Sequence, residues 1–128
     1  MHKTLIATFV LAASILPLGT FVNAQNPKIN CSKATNTVEM KYCSQQSYAA
    51  ADKQLNQVYQ QVRPTLKGEQ KQLLTSGQQA WIKFRDNNCD FEVYDSRGGT
   101  GYEIFRNGCL ERLTKERTKL LQDYRSNR

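Results

Sequence analysis

Small and apolar residues recur along this chain at intervals of three and four, the period of a helix that buries one face. The first series runs Met40, Cys43, Ser47, Ala51, Leu55, Tyr59 and Val62, widened by Val58. Asn36 is placed to cap it, and Glu39 falls three residues on, where its carboxylate reaches back to the cap N–H. The spacing predicts a helix over 37–63. Pro64 removes a donor and disfavours helix at Arg63, and Gly68 offers a second break, so the chain turns here. Glu69 suits the positive start of a second helix, whose buried face would be Leu73, Leu74, Ala80, Trp81 and Phe84. Gly77 lowers helix propensity inside it, which the close approach of a neighbouring helix would explain. Residues 92–103 lose the period, and Ser96-Arg-Gly-Gly-Thr-Gly101 is loop chemistry. A third series, Phe105, Cys109, Leu113, Leu120, Leu121 and Tyr124, restores it. With no strand-like alternation of useful length, the expectation is an all-α, three-helix domain built on a long antiparallel helical hairpin.

The N-terminus changes the setting in which that domain is read. Residues 1–24 open with Lys3, run apolar from Leu5 to Leu18 and close on Val22-Asn23-Ala24, the pattern of a cleavable signal peptide. Pro17, Gly19 and Thr20 interrupt the run before it reaches the roughly 20 apolar residues of a membrane span. No Cys lies near the cut, so no lipid anchor is expected. The reading is a signal peptide over 1–24, a mobile lead over 25–30 and one helical domain over 31–126, in a periplasmic or secreted protein with no transmembrane segment after cleavage.

Export bears on the four cysteines, Cys31, Cys43, Cys89 and Cys109. An even count in a short exported chain reads as two disulfides. Their spacings of 12, 46 and 20 residues contain no Cys-x-x-Cys, which speaks against zinc. With the turn near 64–68, Cys43 and Cys89 lie at about the same height on the hairpin, and the segments leading to Cys31 and Cys109 return there. Cys31–Cys43 with Cys89–Cys109 is favoured, because the short lead can fold back and the Gly loop can close on itself. Cys43–Cys89 with Cys31–Cys109 stays open as the competing arrangement. Each crosslink stabilises by on the order of 3 kcal/mol.

Trp81, Arg85 and Cys89 stand at i, i+4 and i+8 and so share one helical face. Together with Cys31-x-x-Ala34, Glu39, Cys43, Asp52, Leu55-Asn56, Tyr59, Gln78, Asp86, Cys109-Leu110 and Arg117, they resemble the N-terminal domain of the lysozyme inhibitor LprI family of small exported bacterial proteins. The resemblance covers residues 31–124. It implies a binding module that inhibits lysozyme in the periplasm or outside the cell.

Candidate chemistry narrows the alternatives. The chain's one histidine is His2, inside the leader, so His-assisted nucleophiles, His bases and His zinc sites have no residue to use. Asp52, Asn56, Arg85 and Arg117 lie on or beside the apolar stripes; with Glu39 they read as a structural polar network between helices rather than a catalytic pair. Across the hairpin Asp52 faces roughly residue 80, leaving Arg85 about 7 to 8 Å of axial rise away, within an Arg's reach. Asp86-x-Asn88-x-Asp90 opens like a calcium loop but continues with Phe91 where Gly is needed and Arg97 where Glu is needed. No metal or cofactor is expected, nor an enzyme. Trp81, Phe84 and Tyr59 read as core.

The formal charge of +7 falls to +6 without Lys3. Arg106, Arg112, Lys115, Arg117, Lys119 and Arg125 supply much of it, but Glu111, Glu116 and Asp123 are interspersed and no aromatics alternate with the cations. No nucleic-acid partner is expected. Partners are instead lysozyme or another envelope protein. Common animal lysozymes are themselves strongly basic, so net charge opposes that encounter; Asp86, Asp90, Glu92, Asp95 and Glu103 offer a local acidic patch. Beside them the loop Tyr94-Asp-Ser-Arg-Gly-Gly-Thr-Gly-Tyr102 would present Tyr94, Asp95 and Tyr102 to a partner. The competing readings are an envelope protein that binds anionic cell-wall polymers and a His-free glycan hydrolase using paired carboxylates.

Overall fold

The computed structural model describes residues 28–127. The expected signal peptide lies outside the described residues, as do residues 25–27 of the lead. Three long helices, α1 (Thr37–Val62), α2 (Gly68–Glu92) and α3 (Tyr102–Ser126), are joined by tight connections, and among the described residues there is no strand. Single 3-10 turns precede α1 (Cys31–Lys33), follow it (Arg63–Thr65) and follow α2 (Tyr94–Ser96).

Local chemistry accounts for the ends. Asn36 Oδ1 accepts the Glu39 N–H at 3.0 Å, as the cap motif requires. Glu39 Oε2 in turn accepts from the N–H of Thr35 at 3.0 Å, one residue before the cap group expected for it. Pro64 stops α1 by tightening the chain into the 3-10 turn, where Thr65 Oγ1 donates to the Val62 carbonyl at 2.7 Å. Gly68 then opens α2 at φ +53°, a left-handed conformation that favours glycine.

The core lies chiefly between α1 and α3, whose backbones approach most closely. Ala51, Leu55, Val58 and Val62 of α1 face Leu110, Thr114, Thr118 and Leu121 of α3, with Leu66 closing the turn end. Each arm of the α1–α2 hairpin holds the other through long side chains. Tyr59 Oη donates to Thr75 Oγ1 at 3.2 Å, and Arg63 Nε donates to the same hydroxyl at 3.3 Å.

The disulfides are Cys31–Cys43 and Cys89–Cys109, with Cα separations of 5.5 and 5.6 Å. The first ties the lead's 3-10 turn to α1. The second ties the end of α2 to α3 inside a buried cluster with Leu110.

α2 departs from its expected face. Trp81 and Leu74 pack inward, but Leu73, Ala80 and Phe84 are exposed, and the fully buried positions of the helix are Gln78, Arg85 and Cys89. Leu73 and Leu74 differ by one residue and therefore by about 100° around the helix, so a single neighbour cannot cover both lines. Among the described residues Gly77 has no neighbour that a Cβ would meet within 4 Å, so no close approach of α1 or α3 explains it. Met40, Ser47, Phe105 and Leu120 are exposed as well, which confines the core to a narrower band than the three apolar series implied.

Candidate functional site

Polar side chains from all three helices gather around Arg85. Its guanidinium is buried between the helices and donates to Asp52 Oδ1 of α1 at 3.1 Å, to Asp86 Oδ1 at 2.9 Å and to Thr114 Oγ1 of α3 at 3.3 Å. Asn56 Nδ2 donates to the other Asp52 oxygen at 3.2 Å. One cation thus touches all three helices, and both of its carboxylates are partly open to water.

Aromatic rings continue the arrangement. The Arg85 guanidinium carbon lies 5.4 Å from the Tyr48 ring centre and 5.2 Å from that of Trp81, while Arg117 sits 5.9 Å from the same Trp81 ring. Arg117 also donates to the buried Gln78 Oε1 at 3.0 Å. Among the described residues no carboxylate pairs with Arg117, and burial lowers its pKa. Burial raises the Tyr48 pKa, aided by the negative charges of Asp52 and Asp86 and opposed by Arg85.

Four of the five residues assigned to the network therefore meet, Arg117 through Trp81 and Gln78. Glu39 stays apart as the cap of α1. Tyr48 and Thr114 were missed. Gln78 was legible as a polar residue on the face of Trp81 and Arg85, and Tyr48 as a member of the α1 stripe three residues before Ala51, whereas Thr114 gives no signal before α3 is docked.

The second candidate region joins α2 to α3. Its segment is a run of tight turns rather than irregular loop: Ser96 N–H donates to the Val93 carbonyl at 3.0 Å, Arg97 to Tyr94 at 3.2 Å and Gly99 to Ser96 at 3.0 Å. Val93 anchors it in the core, and Cys89–Cys109 closes it at the base. Tyr94 is 59 % exposed with the Arg97 guanidinium stacked on its ring at 4.5 Å, and Asp95 is exposed beside it. Tyr102 does not share that tip. It lines a cleft against α1 with Lys41, Gln45, Tyr48 and Arg106.

The acidic flank is not a free negative patch. Arg85 binds Asp86, Arg106 Nε binds Asp90 at 2.6 Å, Arg112 binds Glu92 at 2.7 Å, and Lys41 binds Glu103. The hydrogen bond from Arg106 holds the Asp90 carboxyl below its ordinary pKa. Folding brings in cations from α1 and α3 that lie far away in sequence, and Asp95 alone of the five has none within 4.0 Å among the described residues.

Residues 30–121 match the family model described as "Lysozyme inhibitor LprI". The chain belongs to the lysozyme inhibitor LprI family. It is also 33 % identical, over 114 residues covering 79 % of this chain and 82 % of the relative, to an uncharacterized protein of Rhizobium meliloti (strain 1021). No solved structure matches the chain. The matched span begins at the lead's 3-10 turn and ends within α3, so both disulfides and the whole Arg85 network lie inside the LprI unit.

Proposed function

We propose that this protein is an exported binding module that inhibits lysozyme, with the disulfide-based segment at Tyr94–Gly101 as the part that enters the target's cleft. Membership of the LprI family supports the activity, and two disulfides support an oxidising compartment such as the periplasm or the cell exterior. The observation that carries the placement is the exposed Tyr94 ring held by Arg97 on consecutive hydrogen-bonded turns. A rigid aromatic side chain loses little conformational entropy on docking, and a segment closed at its base is already organised for it.

The same geometry answers the objection from net charge. A glycoside-hydrolysing cleft is built around two carboxyl groups, so its local field is acidic even in a basic protein. Arg97 at the tip presents a cation to that field, while Asp95 next to it can accept hydrogen bonds from the cleft walls. The Arg85 network acts at one remove: it sets the positions of α2 and α3 from which the segment springs.

Turbidity clearing of bacterial cell walls by lysozyme tests this directly. The wild type should slow clearing, and replacing Tyr94, Asp95 and Arg97 with Ala should abolish the effect while leaving helical circular dichroism unchanged. Charge reversal at Arg112 and Lys115 on α3 should matter little. Full inhibition by the triple variant would refute the placement, and absence of inhibition by the wild type would refute the function.

A further inference from the structure

α2 carries an apolar face that the rest of the described chain leaves uncovered. Leu73, Gly77, Ala80, Phe84 and Phe91 follow one another at spacings of four, three, four and seven residues, which places them in one stripe. The stripe lies about 90° around the helix from the inward line of Leu74, Trp81 and Arg85. Leu73 is 62 %, Phe84 56 % and Phe91 80 % exposed. Leu120 of α3, 61 % exposed, shares a groove with Leu73 and widens the surface. Gly77 weakens the helix, yet among the described residues nothing lies within 4 Å of where its Cβ would be. A second helix lying along the stripe would supply a neighbour.

The stripe is complementary to itself when reversed. With two helices antiparallel about an axis level with Ile82, Leu73 meets Phe91, Asn87 meets Gly77 and the ring of Phe84 falls opposite Ala80. A parallel pair would instead set Phe84 against Phe84 and leave a gap at the two Gly77 positions. We propose that α2 is the contact between two copies of this chain, packed as an antiparallel helix pair.

Area and charge fit a second copy. Taking side chains of the order of 200 Å², the exposed parts of Leu73, Phe84, Phe91 and Leu120 come to about 500 Å² per copy. Two copies then bury about 1,000 Å², the lower edge for a specific interface, so the dimer is reversible. α2 holds four acidic and three basic residues, net −1, in a chain of formal charge +7, which makes its surface a low-repulsion contact for like molecules.

Sedimentation of the disulfide-intact protein between about 1 µM and 1 mM tests the proposal. The average mass should rise toward twice the monomer, and Phe84→Lys should keep it monomeric throughout with unchanged circular dichroism, since Phe84 belongs to neither buried cluster. Lys83→Cys, on the flank level with the axis, should link to its copy on mild oxidation. Ser76→Cys, which antiparallel packing carries away from its counterpart, should not. A wild type that stays monomeric, association that survives Phe84→Lys, or Ser76→Cys linking as readily as Lys83→Cys would each overturn the arrangement. A wild type that stays monomeric while Phe84→Lys impairs lysozyme inhibition would assign the stripe to that partner and equally overturn it.

Discussion

Arg85 shows why a charge can be kept in the interior of so small a domain. Its side chain is only 6 % exposed, but two carboxylates, a hydroxyl and two aromatic faces replace the water it loses. The redundancy makes a specific prediction. Asp52→Ala leaves Asp86 in place, and the Asp52 side chain is 40 % exposed, so solvent screening discounts the pair and the loss should be about 1 to 2 kcal/mol. Asp86→Ala should behave alike. Removing both leaves a buried guanidinium without an anion, and the cost should rise to about 3 to 5 kcal/mol, more than the single losses combined. Urea unfolding of the four proteins measures the cycle. Strict additivity would mean that the two carboxylates act independently and that the guanidinium is not held in common.

At the scale of elements, what could be read in advance was what local chemistry decides. Asn36, Pro64 and the glycines after Ser96 set helix ends through their own backbone preferences, and α1, α2 and α3 begin and stop within a residue or two of the expected places. The height of the turn only brought the four cysteines to one end of the hairpin; it was the short lead and the Gly loop that favoured Cys31–Cys43 with Cys89–Cys109, the pairing the structure has. Which apolar line of α2 would face inward did not follow, because Leu73 and Leu74 are equivalent until α3 is docked. The acidic flank failed for the same reason: apart from Arg85, the cations that neutralise it sit on other helices. The two staples also differ in surroundings. Cys31 is exposed, whereas Cys89 and Cys109 are 0 % and 3 % exposed against Leu110. A thiol reductant should therefore open Cys31–Cys43 first, and timed alkylation should find label on Cys31 and Cys43 well before Cys89. Replacing both residues of the buried pair by Ala should cost at least about 3 kcal/mol, since it removes core contacts as well as the chain constraint. Label appearing first on Cys89 and Cys109 would contradict that order.

For the whole molecule, the assigned surfaces share out the chain's area. α1 and α3 supply the core, the turns after α2 supply the tip bearing Tyr94 and Arg97, and the outer face of α2 supplies the apolar stripe. The basic excess spread over the rest belongs to neither surface, and this separates local from long-range electrostatics in a measurable way. If the target is a basic lysozyme, the two net charges repel during approach, while the contact between Arg97 and an acidic cleft acts only once the molecules touch. Salt screens the first over about 8 to 10 Å at physiological ionic strength and affects a desolvated contact much less. The association rate with hen-type lysozyme should therefore rise as salt is increased from low to physiological levels, the reverse of an electrostatically steered pair. Arg97→Ala should mainly quicken dissociation, because it removes a contact at the centre of the interface and hardly changes the net charge. Stopped-flow measurements across a salt series give both rates. An association rate that falls with salt would show that attraction between extended surfaces governs the encounter, and the cleft-directed role of the tip would then have to be given up.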